Sequence, residues 1–503
     1  MIDLSDSYLT ADERDLLSER RIAGVCLFGR NIIDRFQVAD YVAELRSLAG
    51  ERLIVAIDQE GGGVVRLRDV PVPPAAMSLG VADDERLTIE VAAAAARGLR
   101  AVGVNLDFAP VADVNSNAAN PVIADRSFGS DPRLVSRHVA AFVEGLQREG
   151  VGATLKHFPG HGDTDVDSHL ALPTLRHDLE HLRAIELPPF VAGIAAGAAA
   201  VMSAHIYLPA LDPKLPATLS RRALHGLLRS QLGFTGVIVT DALDMRAIAD
   251  SWAAPEAAVL SLAAGADLPL TLGPLREHRE VLDTIAAAVR EGRLDGEEFA
   301  LSRRRIADLA ERFALAGPDG GLAWRESEAD AAVLDEAARR GLLVRGELPR
   351  LVAGSEVLLV ARESVFTNSA AQVSVRPADT LEEALLAAGI RSRRFSVERL
   401  LESSNTAQFS DELASSIAAG SGSEAGAAVP AALIFASTTR VPMVQGEVEL
   451  ARELAERAAA AGRRFVHVAL WNPYSADVVP GPALVAFGNG ERQARAVVER
   501  LLT

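Results

Sequence analysis

Short apolar runs alternate with longer amphipathic stretches along the first 270 residues of the chain. The runs occupy 22–28, 53–58, 104–108, 153–158, 199–205, 237–241 and 266–270, and runs of this length predict buried strands. Segments between them, such as 131–150 and 220–232, begin on an Asp or a Ser that can cap a helix, and their apolar residues recur three and four apart. Strand followed by helix, repeated, is the pattern of parallel βα units. A barrel of eight units needs roughly 250 residues, and the stretch to Ala314 supplies that length while showing seven strands. The pattern predicts an α/β fold whose N-terminal part is a TIM-type (β/α)8-like barrel, either irregular or with one strand disguised.

The helical pattern breaks at 316–321, Ala-Gly-Pro-Asp-Gly-Gly, and a further helix at 328–340 leads away from it. Beyond it, strands at 357–361, 432–436, 465–470 and 484–487 alternate with helices at 381–388, 447–461 and 492–502. This is a smaller α/β layered domain. The expected division is a catalytic barrel over 1–315, a linker with its helix over 316–345, and a C-terminal α/β domain over 346–503. The Ser-, Gly- and Ala-rich tract 415–428 predicts a mobile surface loop.

Composition narrows the classes of partner. With 503 residues, 49% of them hydrophobic, the chain can bury a large core. A net charge of -17 without basic stripes argues against a nucleic-acid or anionic-membrane partner. The single cysteine, Cys26, lies inside an apolar run, so it predicts a core residue and excludes an intrachain disulfide. The start of the chain is acidic through Asp15, with neither a basic nor an apolar leader region, and no apolar run is long enough to span a bilayer. A cytoplasmic protein is expected.

Polar residues fall in one place. Asp58, Asp113, Lys156, His157, His205 and Asp241 sit at or just past the carboxyl ends of predicted strands, which in a barrel converge on the face where active sites are built. The segment 156–169, Lys-His-Phe-Pro-Gly-His-Gly-Asp-Thr-Asp-Val-Asp-Ser-His, holds seven ionisable side chains around two glycines and a proline. Such a loop can present several polar groups over a cleft, an arrangement suited to hydroxyl-rich ligands.

Three readings compete for that loop. A divalent metal could be held among His157, His161, Asp163, Asp165, Asp167 and His169. No H-E-x-x-H helix is present, however, and the alternating acids fail the calcium-loop pattern, with Ser168 at the turn glycine and Thr174 at the terminal glutamate. A solvated acidic run without chemistry is the second reading, set against Lys156 and His157 joined directly to an apolar strand. The third is glycoside cleavage, with a carboxylate beneath the sugar and a proton donor beside the leaving oxygen. Asp241 is the natural nucleophile there, because it ends an apolar strand and projects into the barrel mouth. Asp244 reads as a helix cap, Arg66 as structural, and His205 either as a cleft residue or as a satisfied core histidine.

Five segments together resemble the β-N-acetylglucosaminidases of glycoside hydrolase family 3. They are Ile57-Asp58-Gln59-Glu60-Gly61-Gly62, the Phe-Ala-Pro-Val-Ala-Asp-Val-Asn run at 108–115, Asp125-Arg126-Ser127-Phe128-Gly129, the 156–169 loop, and Val239-Thr240-Asp241-Ala242-Leu243-Asp244-Met245. The resemblance covers most of the chain, and the 156–169 loop is its most specific element. It implies Asp241 as nucleophile, and His169 as acid/base on a mobile loop, assisted by Asp167. It also implies that Asp58, Arg126, Lys156 and His157 hold the hydroxyls and N-acetyl group of the terminal sugar, with Asp113 either in that shell or fixing a neighbouring loop. The chemistry agrees: a free imidazole titrates near ~6.5, in the range useful for giving and recovering a proton. Asp58 can accept from hydroxyls, whereas Arg126 and Lys156 only donate.

The expected activity is retaining exo-cleavage of terminal N-acetylglucosamine through a glycosyl-aspartate, without cofactor or metal. Glycosidases that use the substrate's own acetamido group carry adjacent acids at the sugar; Asp83-Asp84-Glu85 instead opens a helix, where acids favour the dipole. Family members acting on plain β-glucosides and β-xylosides recruit a glutamate from the second domain and lack the 156–169 loop. Phosphorolysis is a closer rival, because a histidine does not repel an incoming phosphate. A sugar-binding protein that has lost catalysis is the third alternative. The resemblance points to peptidoglycan fragments, with chitin-derived oligosaccharides as the other candidate, and to a monomer or homodimer.

Overall fold

The computed structural model describes residues 1–19, 22–314, 324–366, 374–402, 407–418, 430–439 and 442–503. Seven parallel strands follow one another in chain order: β1 (Gly24–Leu27), β2 (Ile54–Ile57), β3 (Leu106–Asp107), β4 (Gly152–Phe158), β5 (Ala200–Ser203), β6 (Val237–Ala242) and β7 (Leu268–Leu270). Each falls on one of the seven apolar runs. Apart from the partly exposed Asp241, their residues are buried on both faces, as parallel strands covered by helices must be.

What closes the sheet is a single residue. Ile2 bridges in parallel to Val25 in β1 and to Thr271, just past β7. Its amide donates to the Gly24 carbonyl (3.1 Å) and its own carbonyl accepts from Cys26 (2.9 Å), while the Met1 carbonyl accepts from Thr271 (3.0 Å). Asp3 then locks the join: one oxygen accepts from the Gly273 amide (3.0 Å) and meets His278 Nε2 (3.0 Å), and the other pairs with Arg30. The eighth position of the barrel is thus filled by the first residues of the chain, which are too few to form an apolar run. The structure is a TIM-like α/β barrel with a disguised closure.

The helices begin where the sequence places caps. Asp34, Asp84, Asp131 and Asp295 accept from the first-turn amides of Arg35–Ala49, Glu85–Ala101, Pro132–Arg148 and Gly296–Arg312. Ser220 accepts from the Ala223 amide at 3.2 Å, ahead of a wider, π-type turn of helix over Arg222–Gln231. Inside the barrel, Cys26, Ile54, Ala56, Leu106, Ala200, Met202, Val237 and Val239 pack in one cluster. Cys26 is fully buried, and burial pushes its thiol well above the ordinary range.

The chain divides into two units, Met1–Ala76 with Asp83–Val333, and Met77–Ala82 with Leu334–Thr503. The second contains a six-stranded sheet in the order Arg391–Ser396, Glu356–Ala361, Ala432–Ser437, Arg464–Ala469, Ala483–Val485, Leu343–Arg345. All neighbours are parallel except the last pair. Alternate residues feed two cores, Val357, Leu359 and Ile434 on one face and Leu358, Val360, Leu433 and Phe435 on the other, as the two-residue period of a strand requires. The two edge strands carry Arg391, Arg393, Arg394 and Arg345 and were not evident as apolar runs. The expected linker at 316–321 lies outside the described residues. Of the 415–428 tract, residues 415–418 end the helix Ala407–Ala418 instead of forming a loop, and 419–428 lie outside the described residues. Among the described residues, no helix is long and apolar enough to cross a membrane.

Ile2 is 4% exposed at the closing seam. Ile2→Ala is expected to lower the stability of the barrel by about 2–4 kcal/mol, measured as a shift in its urea unfolding midpoint. An unchanged midpoint would mean that the seam contributes nothing.

Candidate active site

Past β2 the chain turns through Asp58, Gln59 and Glu60, and at the end of β4 it presents Lys156 and His157. Lys156 is only 2% exposed, and its ammonium lies 2.7 Å from Asp58 Oδ1 and 2.6 Å from Glu60 Oε1. Glu60 in turn receives Arg126 through two bonds of 2.8 Å, from Nε and Nη2. Arg66 reaches the other Asp58 oxygen at 3.3 Å. Lys156, Glu60 and Arg126 are buried and Asp58 and Arg66 partly so, and each is paired, since isolated buried charges could not be sustained. Burial pushes the carboxyls of Asp58 and Glu60 up, but Lys156 with Arg66, and Arg126 with Lys156, more than reverse it, so both stay below the usual carboxylate range. Lys156 is likewise held above its ordinary value, because Asp58 and Glu60 outweigh the cost of burial.

Asp113 ties this cluster to the loop that follows. It is fully buried; Oδ1 accepts from the amides of His157 (3.0 Å) and His161 (2.7 Å), and Oδ2 meets His157 Nδ1 at 2.7 Å. With Nδ1 directed at Asp113, His157 Nε2 lies 3.4 Å from Arg126 Nη2.

Two glycines allow the loop its path. A Cβ on Gly162 would fall 1.7 Å from the Val114 carbonyl, and one on Gly160 (φ +134°) would fall 2.3 Å from the Glu186 carboxyl. His161 acts as a strut, with Nδ1 2.7 Å from Thr164 Oγ1 and Nε2 3.0 Å from Ser168 Oγ. Burial, with the neighbouring His157, pushes its pKa down to about 4, so it stays neutral. Asn120 braces the same turn by donating to the carbonyls of His161 (2.9 Å) and Gly162 (3.0 Å). At the far end, Asp167 Oδ1 accepts from the His169 amide (2.9 Å) and meets its Nδ1 (2.8 Å). That bond leaves His169 Nε2 as the nitrogen available for proton exchange.

Asp241 ends the buried run of β6, and its Oδ1 accepts from the Ala242 amide at 2.8 Å. Burial raises its pKa, but the positive fields of His205, His157 and His169 outweigh that and hold the carboxyl below the usual range. His169 shows the converse. Burial opposes its protonation, yet the Asp167 hydrogen bond and the charges of Asp241 and Asp167 raise its pKa above the ordinary imidazole value. His205, fully buried, is satisfied by Thr218 Oγ1 (2.9 Å) and the Ala242 carbonyl (2.8 Å) while still lying within the field of Asp241. It is both a satisfied histidine and a neighbour of the carboxylate.

All eight sequence-derived site residues therefore lie in the barrel unit, linked in two sets. Asp58, Arg126, Lys156, His157 and Asp113 form one hydrogen-bonded network; Asp167 and His169 form a couple in the field of Asp241. Sequence reasoning passed over Glu60, which holds Arg126 and Lys156 together; its position two residues after Asp58 at a strand end was the available signal. Arg66, read as structural, reaches Asp58. Asp244 does not cap the next helix, Arg246–Ala249, whose N-cap is Met245, and it is exposed. The loop's histidines do not converge as metal ligands, since His157, His161 and His169 turn to Asp113, to Thr164 and Ser168, and to Asp167.

Similarity to known proteins makes this chain a glycoside hydrolase. Over 347 residues it is 38% identical to a beta-hexosaminidase of Stenotrophomonas maltophilia, covering 67% of this chain and 99% of that one. Residues 3–309 match the glycosyl hydrolase family 3 N-terminal domain, and the chain belongs to glycoside hydrolase family 3. Its structure is similar to that of a family 3 beta-N-acetylglucosaminidase from Paenibacillus sp., with a TM-score of 0.87 and 33% identity over 100% of this chain and 94% of that one. NagZ from Neisseria gonorrhoeae matches with a TM-score of 0.60 and 31% identity, over 68% of this chain and 97% of that one.

Glu60 accepts from both Arg126 Nε and Nη2, at 2.8 Å each. Glu60→Gln leaves buried cationic charge uncompensated, and a loss of about 3–5 kcal/mol is expected. Thermal unfolding of the variant checks this; a midpoint equal to that of the parent protein would mean that Asp58 alone compensates the two cations.

Proposed function

We propose that the chain is a retaining exo-β-N-acetylglucosaminidase in which Asp241 is the nucleophile and the Asp167–His169 couple is the acid/base. The observation that carries this reading is the reciprocal electrostatics of Asp241 and His169, in which each favours the other's charged form. In the first step ionised Asp241 attacks the anomeric carbon while protonated His169 gives its Nε2 proton to the leaving oxygen. Asp167 stabilises the cation before transfer. In the second step neutral His169 takes a proton from water, which displaces the sugar from Asp241 and restores both groups. Asp58, Arg126, Lys156 and His157 hold the sugar's hydroxyls and acetamido group, the carboxylate accepting and the cations donating. Asp113 orients His157 within that set.

Support for the sugar specificity comes from relatives. The similar proteins include beta-hexosaminidases and a beta-N-acetylglucosaminidase, and NagZ of Neisseria gonorrhoeae was solved with N-trifluoroacetyl-D-glucosamine. The natural substrate in this reading is a peptidoglycan fragment in the cytoplasm, with N-acetylglucosamine linked to a muramic-acid derivative. Turnover of that disaccharide well above the chitin disaccharide would support it, and the reverse preference would assign chitin fragments instead.

The test is cleavage of a chromogenic β-N-acetylglucosaminide beside the matching β-glucoside, with and without phosphate. Asp241→Ala and His169→Ala should each lose activity, the latter by about 10²–10⁴-fold, with azide restoring His169→Ala only on substrates with activated leaving groups. Full activity in Asp241→Ala refutes the nucleophile, and phosphate-dependent release of sugar phosphate makes the enzyme a phosphorylase.

The pH profile follows from the two shifts. Asp241 must be ionised and His169 protonated, so kcat/KM should form a bell with an acid limb below the usual carboxylate range and an alkaline limb above the usual imidazole value. Asp167→Asn removes the negative charge that helps raise the His169 pKa, so the alkaline limb should move to lower pH. A limb that stays in place in this variant would separate Asp167 from proton transfer.

A further inference from the structure

Among the residues that the structure describes, one group of metal-ligating side chains outside the network already described remains unexplained. Asp163, His177 and His181 each offer a ligand atom, and those atoms lie within 4.8 Å of one another. His177 lies just before the N-cap Asp178 of a short helical turn, Leu179–His181, and His181 ends it. Their rings stack, with centroids 3.8 Å apart and planes 15° from parallel. Asp178 fixes the second of them by accepting from the His181 amide at 2.8 Å. Asp163 comes from the 156–169 loop, and its carboxylate meets His177 Nε2.

The contact between Asp163 and His177 accounts for those two side chains but not for His181. His181 Nε2 is shielded from solvent and has no hydrogen-bond partner, although the ring offers a ligand atom within 4.8 Å of the other two. A cation shared by both rings and the carboxylate uses the unpartnered nitrogen. We infer that Asp163, His177 and His181 form a divalent transition-metal site of the two-histidine, one-carboxylate type. Two imidazoles favour zinc, cobalt or nickel over magnesium or calcium, which take oxygen ligands. Bonds of about 2.0–2.2 Å would set the ligand atoms about 3.4 Å apart around a tetrahedral ion, so modest side-chain rotation closes the site. Three protein ligands leave the fourth position to water. The site is distinct from Asp167 and His169, which are paired with each other. A bound ion would fasten the Asp163 end of their loop to the helix start.

The test uses the full chain, stripped with a chelator, desalted and titrated with Zn²⁺ by calorimetry and with Co²⁺ by visible absorption. One equivalent per chain is expected, with a Co²⁺ d–d band of low-symmetry four- or five-coordination, and a thermal midpoint that rises with metal concentration. His181→Gln and Asp163→Asn, both at partly exposed side chains, should each weaken binding by about ten-fold or more, whereas His169→Ala should bind as the parent does. The absence of binding up to millimolar metal overturns the inference. So does binding that survives both His181→Gln and Asp163→Asn, or that is lost in His169→Ala, since the ion would then sit elsewhere.

Discussion

Burying a charge is affordable only where an opposite charge meets it, and that constraint organises the mouth of this barrel. Lys156 carries an ammonium at 2% exposure. Its position requires Asp58 and Glu60; Glu60 requires Arg126, and Arg126 leans towards His157, which Asp113 holds from the other side. Removing one member leaves its partner stranded in a medium that penalises it by several kcal/mol. The chain of pairs fixes side chains from β2, from the 108–129 stretch and from β4 in one arrangement before any ligand arrives. Such preorganisation is what a site needs if binding is not to be spent on ordering it.

The couple of Asp167 and His169 is built differently. It stands on a loop held by neutral contacts, with His161 spanning Thr164 and Ser168, and Asn120 bracing two carbonyls. His169 keeps 29% of its side chain exposed, so a group that must exchange protons retains access to solvent. A rigid charged floor and a more open, locally tethered proton carrier divide the work between precision and access.

Much of this was legible in the sequence because it rests on local pattern. Seven apolar runs became seven strands, and capping aspartates marked the helices that follow. The polar residues at strand ends could be read as one face once the barrel was inferred. What escaped had no local signature. Ile2 closes the sheet with too few residues to make a run, and Arg391–Ser396 is an edge strand whose half-exposed positions accept arginines. Glu60 was visible as a residue, but its two cationic partners, Arg126 and Lys156, are distant along the chain. Asp244 looked like a cap by spacing alone, yet the helix after it starts one residue later, and Asp244 is exposed.

The seam at Ile2 also bears on how the molecule is made. On one side Ile2 pairs with Val25, close by in the chain, but on the other with Thr271, just past β7. During synthesis at roughly 5–20 residues per second, the first residues emerge early and can dock against β1, while the opposite edge waits many seconds for β7. Until then the growing sheet has an open flank of unpaired amides and carbonyls, the feature that invites contact with other chains. Barrel formation is thus a race between completing a long-range join and losing the unfinished edge to a neighbour.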